Sequence, residues 1–252
     1  MDIMTIPDNY TPAATLLASR NILVTGAGDG IGRAAALAYA AHGATVILSG
    51  RSVEKLEATY DAIETAGGPQ PAIVPLDLAT AGEEEAAQLA QAIGGTLGHL
   101  DGLLHNAGIL GERRPVASAS WRAWQDVMQV NVNSQFLLTR ALLPLLEASV
   151  GASIIFTSSG VGRQGRAYWG AYAVSKFATE GLMQVLADEL ENTSDIRVNS
   201  LNPGATNTAM RRAAFPGEVP TDNPSPPAIM PAYLYLMGDD SAGVTGRAFN
   251  AR

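Results

Sequence analysis

No cysteine occurs in the 252 residues, which excludes disulfides, Cys-ligated zinc and thiol nucleophiles. Histidine is nearly as scarce. His42, His99 and His105 are the only three and stand apart in the sequence, so no metal site is expected. Basic charge is also short, with 16 Lys and Arg against 24 Asp and Glu for a net charge of -8. Those cations are scattered, whereas a polyanion is held by a basic stripe, so no nucleic-acid partner is expected. No apolar run approaches the roughly 18 residues of a membrane span. Met1 to Arg20 has neither the basic start nor the apolar middle of a signal peptide. A soluble, cytoplasmic protein without membrane contact is the expectation.

What is present is apolar: 47% of the chain is hydrophobic, with 26 Gly to turn it. Short apolar runs at 22–25, 44–49, 72–76, 100–105, 153–157 and 196–201 read as strands buried on both faces. Segments of helical character separate them at 31–42, 53–66, 83–93, 121–147 and 172–192, with Pro144 inside the fourth a kink candidate. The alternation predicts a single-domain, Rossmann-type α/β fold: a doubly wound parallel sheet with helices on both faces. The domain is placed at 21–252 behind an N-terminal extension at 1–20. Six prolines between 209 and 231 suggest a long loop before a last helix at 228–237, and the stretch 209–226 suits a substrate lid.

The chemistry-bearing residues follow the strands. Thr25 to Gly32 read TGAGDGIG between the first strand and its helix. Glycines at 26, 30 and 32 let the backbone turn tightly towards a pyrophosphate at the helix N-terminus. Tyr172 and Lys176, spaced i, i+4, share one helical face, so the ammonium would favour the phenolate. With seven Tyr and two Lys in the chain, roughly 0.06 such pairs are expected by chance. Tyr168 has no lysine four residues on and suits a pocket wall. At the end of the second strand Gly50 stands where an NAD enzyme places a carboxylate, and Arg51 follows. That combination favours NADP(H) over NAD(H), although Asp29 is an acid near the expected phosphate.

Together TGAGDGIG, Asp77-Leu78, His105-Asn-Ala-Gly108, Asn131, Ser159, Tyr172-Ala-Val-Ser-Lys176 and Asn202-Pro-Gly204 with Thr208 resemble the short-chain dehydrogenase/reductase family, in its order and spacing. VILSGR, WQDVMQVNVN, SSGVGRQGRA and SKFATEG look like its YciK-type subgroup of oxidoreductases. The resemblance implies a hydride transfer between NADP(H) and a carbonyl or alcohol, with Tyr172 as general acid/base. Ser159 would steady the carbonyl oxygen; Thr157 and Ser158 are its alternatives on spacing, and the separation of 13 residues from Tyr172 favours Ser159. Lys176 would also hold the ribose, and Asn131 a proton-relay water, with Asn133 the alternative.

For the cofactor the resemblance implies the turn residues Gly26, Gly28, Asp29, Gly30, Ile31 and Gly32, then Gly50 and Arg51. Asp77 and Leu78 would take the adenine, and Asn106, Ala107 and Gly108 the ribose side. Pro203, Gly204, Thr206 and Thr208 would flank the nicotinamide and phosphates, beside Tyr172 and Lys176. Substrate contacts are expected from Ser159, Val161, Gln164, Tyr168, Tyr172 and Ala205, with Leu110 nearby. Arginines 113, 114, 163, 166, 211 and 212 hint weakly at an anionic substrate.

Thr245 to Phe249 resembles the last strand, but the chain stops at Arg252 without the family's usual Asp-Gly-Gly tail. A homodimer through helices 121–147 and 172–192 is expected, and a homotetramer is left open. A dinucleotide-binding sensor on the same fold is the alternative from another class; a serine hydrolase fails for want of G-x-S-x-G.

Overall fold

The computed structural model describes residues 3–252. Its strands are β1 (Ile3–Thr5), β2 (Asn21–Thr25), β3 (Thr45–Gly50), β4 (Ala72–Pro75), β5 (Gly102–His105), β6 (Ser153–Thr157), β7 (Arg197–Asn202) and β8 (Ala248–Asn250). The helices are α1 (Gly30–Ala41), α2 (Val53–Thr65), α3 (Glu83–Leu97), α4 (Trp121–Met128), α5 (Ser134–Glu147), α6 (Gly170–Leu190), α7 (Ala209–Ala214) and α8 (Met230–Met237). All strands pair in parallel in one sheet, ordered β1-β8-β7-β6-β5-β2-β3-β4. The expected doubly wound sheet is therefore the fold.

Alternate strand residues feed two cores. Ile22, Val24, Val46, Leu48, Leu104 and Ile155 join α1 and α8 on one face. Leu23, Ile47, Leu103, Ile154 and Phe156 join α3, α5 and α6 on the other. Both faces being covered, each strand reads as a continuous apolar run rather than an alternation. Strand order reverses between β2 and β5, and ligands of such sheets bind in the crevice at the carboxyl ends of the strands there. Thr25 staples the two ends: its Oγ1 donates to Leu104 O and accepts from the N–H groups of Asn106 and Ala107.

Four details depart from the sequence reading. Residues placed outside the domain as an extension supply β1, which pairs with β8, and Leu17, which is fully buried. The expected helix 121–147 is continuous but not uniform, because Gln129–Asn133 forms a π-helical turn between α4 and α5. Pro144 sits near the end of α5, where the helix runs on to Glu147. The proline-rich stretch is not structureless: Thr208 caps α7 by accepting from Arg211 N at 3.1 Å, and 3₁₀ turns follow at Pro220–Asp222 and Pro226–Ile229.

His105, at the end of β5, is a neutral core residue. Its ring stacks on Phe156 at 4.7 Å and its Nε2 meets Thr139 Oγ1 at 2.8 Å. Burial first, then the Lys176 charge, pushes its pKa from 6.5 down to about 3. The unfolded chain gains this proton on acidification and the folded chain does not. The contribution is thus complete above about pH 6.5 and lost as pH falls towards 3. Urea unfolding should show a loss of about 2 kcal/mol from this group between pH 7 and 5, absent from His105→Leu. Equal acid sensitivity in both proteins would remove His105 as the cause.

Candidate active site

At the end of β2 the chain turns through Gly26, whose φ is +69°, and re-enters as α1. A Cβ at Gly32 would lie 2.2 Å from Gly26 O, so only glycine lets the helix pack on its own turn. Asn106 Nδ2 donates to Thr25 O at 3.2 Å and fixes the turn from the other side. Asp29 caps α1, its Oδ1 accepting from Gly30 N at 2.7 Å. Its other oxygen pairs with Lys55 Nζ at 2.6 Å, and the Lys55 hydrogen bond holds the carboxyl below its ordinary pKa. The acid that counted against a phosphate on sequence grounds is thus neutralised by a cation from α2.

The cleft above this turn has a volume of about 860 Å³. Gly26, Gly28, Asp29, Gly30 and Ile31 line its start, and Gly50 and Arg51 the side towards α2. Asp77 and Leu78 border it after β4, and Asn106, Ala107 and Gly108 after β5. Pro203, Gly204, Thr206 and Thr208 line it after β7. Gly32 lies beneath the turn rather than on the cleft. Among the described residues Arg51 makes no ion pair, and its side chain is exposed.

Ser159, Tyr172 and Lys176 meet at the other end of the same cleft. Ser159 caps the turn Gly160–Gly162, its Oγ accepting from Val161 N at 3.4 Å. That turn sits directly on α6, since a Cβ at Gly162 would lie 2.7 Å from the Cβ of Lys176. Burial pushes the Tyr172 phenol up to about 12, with Ser159 acting the other way. Lys176 is 3% exposed, its Nζ lies 5.7 Å from the Tyr172 ring centroid, and it donates to Thr157 O at 2.7 Å. Burial lowers it to about 8, against the raising effect of Glu180.

Asn131 sits in the π turn and is fully buried. Its Oδ1 accepts from Ile109 N at 2.8 Å, and its Nδ2 donates to Ile109 O and Ser175 Oγ, both at 3.0 Å. The side chain therefore fixes the segment after β5 against α6; it does not line the cleft. Asn133, the alternative, is exposed and bonds Gln129.

Of the expected substrate contacts, Ser159 and Tyr172 line the cleft, whereas Gln164, Tyr168 and Ala205 are exposed outside it. Val161 is buried behind Tyr172. Tyr168 has φ +70° and is 58% exposed; this turn sends Trp169, not Tyr168, to the wall. Leu110, Met210, Ala214 and Phe215 complete that end. Five of the six arginines there are engaged, and Arg166 is exposed outside the cleft with no ion pair among the described residues. Arg113 lies over the rings of Trp169 and Phe215 and donates to Ala214 O, Arg114 pairs with Glu112, Arg163 with Glu180 and Arg211 with Glu218. Arg212 donates to Asn207 Oδ1 at 2.9 Å.

The short chain dehydrogenase family model matches residues 20–218. The chain belongs to the short-chain dehydrogenase family. It is 57% identical over 244 residues to the uncharacterized oxidoreductase YciK of Escherichia coli K12, covering 97% of this chain and 96% of that one. A short chain dehydrogenase from Pseudomonas syringae superposes with a TM-score of 0.95 at 57% identity, over 97% of this chain and 99% of the other. One from Shigella flexneri 2a, solved in complex with NADP, gives 0.93 at 57% identity over 95% and 99%. The chain is an oxidoreductase of this family.

Three features of this short-chain dehydrogenase escape sequence reasoning. Lys55 and Trp169 line the cleft, and neither belongs to a motif. The third is a buried network behind Lys176. Glu180 accepts from Ser158 Oγ and Ser200 Oγ, both at 2.6 Å, and from Arg163 Nε at 3.0 Å. Arg163 also donates to Asn250 Oδ1 and Phe249 O in β8. Ser158, Arg163 and Glu180 lie within SSGVGRQGRA and SKFATEG, but nothing in those stretches says that the three side chains meet.

Proposed function

We propose that the protein is an NADP(H)-dependent carbonyl reductase, interconverting an aldehyde or ketone and its alcohol. The observation that carries this reading is the convergence of Ser159, Tyr172 and Lys176 on a cleft that begins at a glycine turn. A dinucleotide fits that cleft: Gly26 and Gly32 keep the backbone close, and Gly30 and Ile31 bring the N-terminus of α1 to its wall. When bound, the cofactor supplies the hydride. Tyr172 gives its phenolic proton to the carbonyl oxygen as the alcohol forms, and takes it back in the reverse direction. Ser159 donates a hydrogen bond to that oxygen as charge develops. The Lys176 ammonium, beside the Tyr172 ring, stabilises the phenolate left behind. Asn131 is a positioning residue that holds the Ile109 backbone.

The NADP(H) preference rests on Arg51 at the adenosine end, with Lys55 offsetting Asp29 and no carboxylate at Gly50, and is consistent with the NADP complex of the Shigella flexneri relative. Cofactor binding measured by calorimetry should favour NADPH over NADH. That preference should fall about tenfold or more in Arg51→Ala, which loses a charge-assisted phosphate contact, and in Lys55→Ala, which leaves Asp29 unpaired near the phosphate. An unchanged preference in both variants, or tighter NADH binding by the wild type, would overturn the assignment. The outer faces of α5 and α6, where Phe136, Phe177 and Val185 are exposed, are read as the pairing face of a homodimer.

A further inference from the structure

We propose that the cleft beside Tyr172 accepts a neutral, ring-bearing aldehyde or ketone and rejects carboxylates, with the rings of Trp169 and Phe215 as the selecting surface. This rests on the reductase reading above and specifies its substrate class.

Aromatic residues are sparse in this chain, with three Trp and five Phe, yet one of each meets at the proton donor. Trp169 lies 5.7 Å from Tyr172 and 5.7 Å from Phe215, tilted by 47° and 48°. The rest of the wall is Leu110, Met210 and Ala214. Flat ring faces gain offset or edge contacts on such a surface that a linear chain cannot match.

The cations in contact with this wall have partners of their own, and Arg166, which makes no ion pair among the described residues, is exposed outside the cleft. The Arg113 guanidinium sits 4.5 Å over Trp169 and 4.9 Å over Phe215, and its Nη1 donates to Ala214 O. Arg211 lies 3.8 Å over Phe215, and its Nε donates to Glu218 Oε2 at 2.7 Å. Lys176 is held on Thr157 O, with the Glu180 carboxylate one helical turn away. Arg51 and Lys55 stand at the opposite, adenosine end. A substrate carboxylate would lose its water here and meet no cation that is not already engaged by a ring, a carbonyl or a carboxylate, which disfavours its binding. The same stack joins three separate segments, the loop after β5, the turn before α6 and α7, so the aromatic surface is held in place before substrate arrives.

The test compares benzaldehyde, para-carboxybenzaldehyde and heptanal, the last with the same carbon count as the first, as substrates with NADPH. Benzaldehyde should exceed heptanal in kcat/KM by about tenfold, and the carboxylate by about 100-fold or more. In Trp169→Leu the benzaldehyde-to-heptanal ratio should fall about tenfold. Equal or better use of the carboxylate, or an unchanged ratio in the variant, overturns the proposal. The wild-type comparison stands if that variant does not fold. Calorimetric binding of benzyl alcohol and para-carboxybenzyl alcohol to the NADP⁺ complex separates this idea from the reductase reading. Preference for the neutral alcohol without turnover of any aldehyde would sink the reductase and keep the subsite. Preference for the carboxylate, or binding of neither, would sink the subsite.

Discussion

Tyr172→Phe should lower carbonyl reduction by about 10²–10⁴-fold, the usual contribution of a positioned proton donor, while NADPH affinity changes little. The substitution removes one oxygen from a side chain that is 9% exposed; it leaves the ring, its contact with Trp169 and the position of Lys176 in place. What goes is the phenol that lines the cleft beside Ser159 and Lys176. Because burial holds that phenol at about 12, it is protonated throughout the neutral range and ready to donate. The reverse direction needs the phenolate and should therefore speed up as pH rises. Stopped-flow NADPH oxidation in single turnover isolates the step from product release. Wild-type-like rates in the variant would remove Tyr172 as the acid. Tight NADPH binding by a wild type that turns over no carbonyl compound would instead favour the sensor reading.

Much of this site is legible in sequence because it is local. TGAGDGIG is one turn, Tyr172 and Lys176 are one helical turn apart, and both sit beside strands whose double-sided burial writes unbroken apolar runs. What escapes is non-local or leaves no periodic mark. The π turn at Gln129–Asn133 inserts its extra residue into an apolar pattern that continues on either side, so 121–147 reads as a uniform α-helix. β1 has three residues, all exposed, and its partner β8 lies at the far end of the chain. Tyr168 and Trp169 are equivalent as adjacent aromatics; the left-handed backbone at Tyr168 decides which enters the wall. Asp29 reads as an obstacle to phosphate until Lys55, 26 residues later, is found beside it.

The same non-locality underlies the second large effect. Glu180→Ala should destabilise the protein by about 3–5 kcal/mol, the penalty for stranding one member of a buried pair, and lower Tm by about 10 °C. The side chains of Arg163 and Glu180 are only 12% and 5% exposed, so water cannot replace the lost partner. Without the carboxylate, Ser158 and Ser200 also lose their acceptor, and Arg163 keeps only its bonds to β8. Glu180→Gln separates charge from shape, since its amide oxygen can still accept from one serine. The Glu180 charge favours the Lys176 ammonium, which burial already holds at about 8. Removing it should push Lys176 lower still and move the alkaline limb of the pH–rate profile to lower pH. Such a shift in Glu180→Gln, compared at a temperature where the variant is folded, identifies a positioning role for this carboxylate. A stability loss with an unmoved profile would reduce Glu180 to a tie between α6 and the last strand, and an unchanged Tm would remove even that.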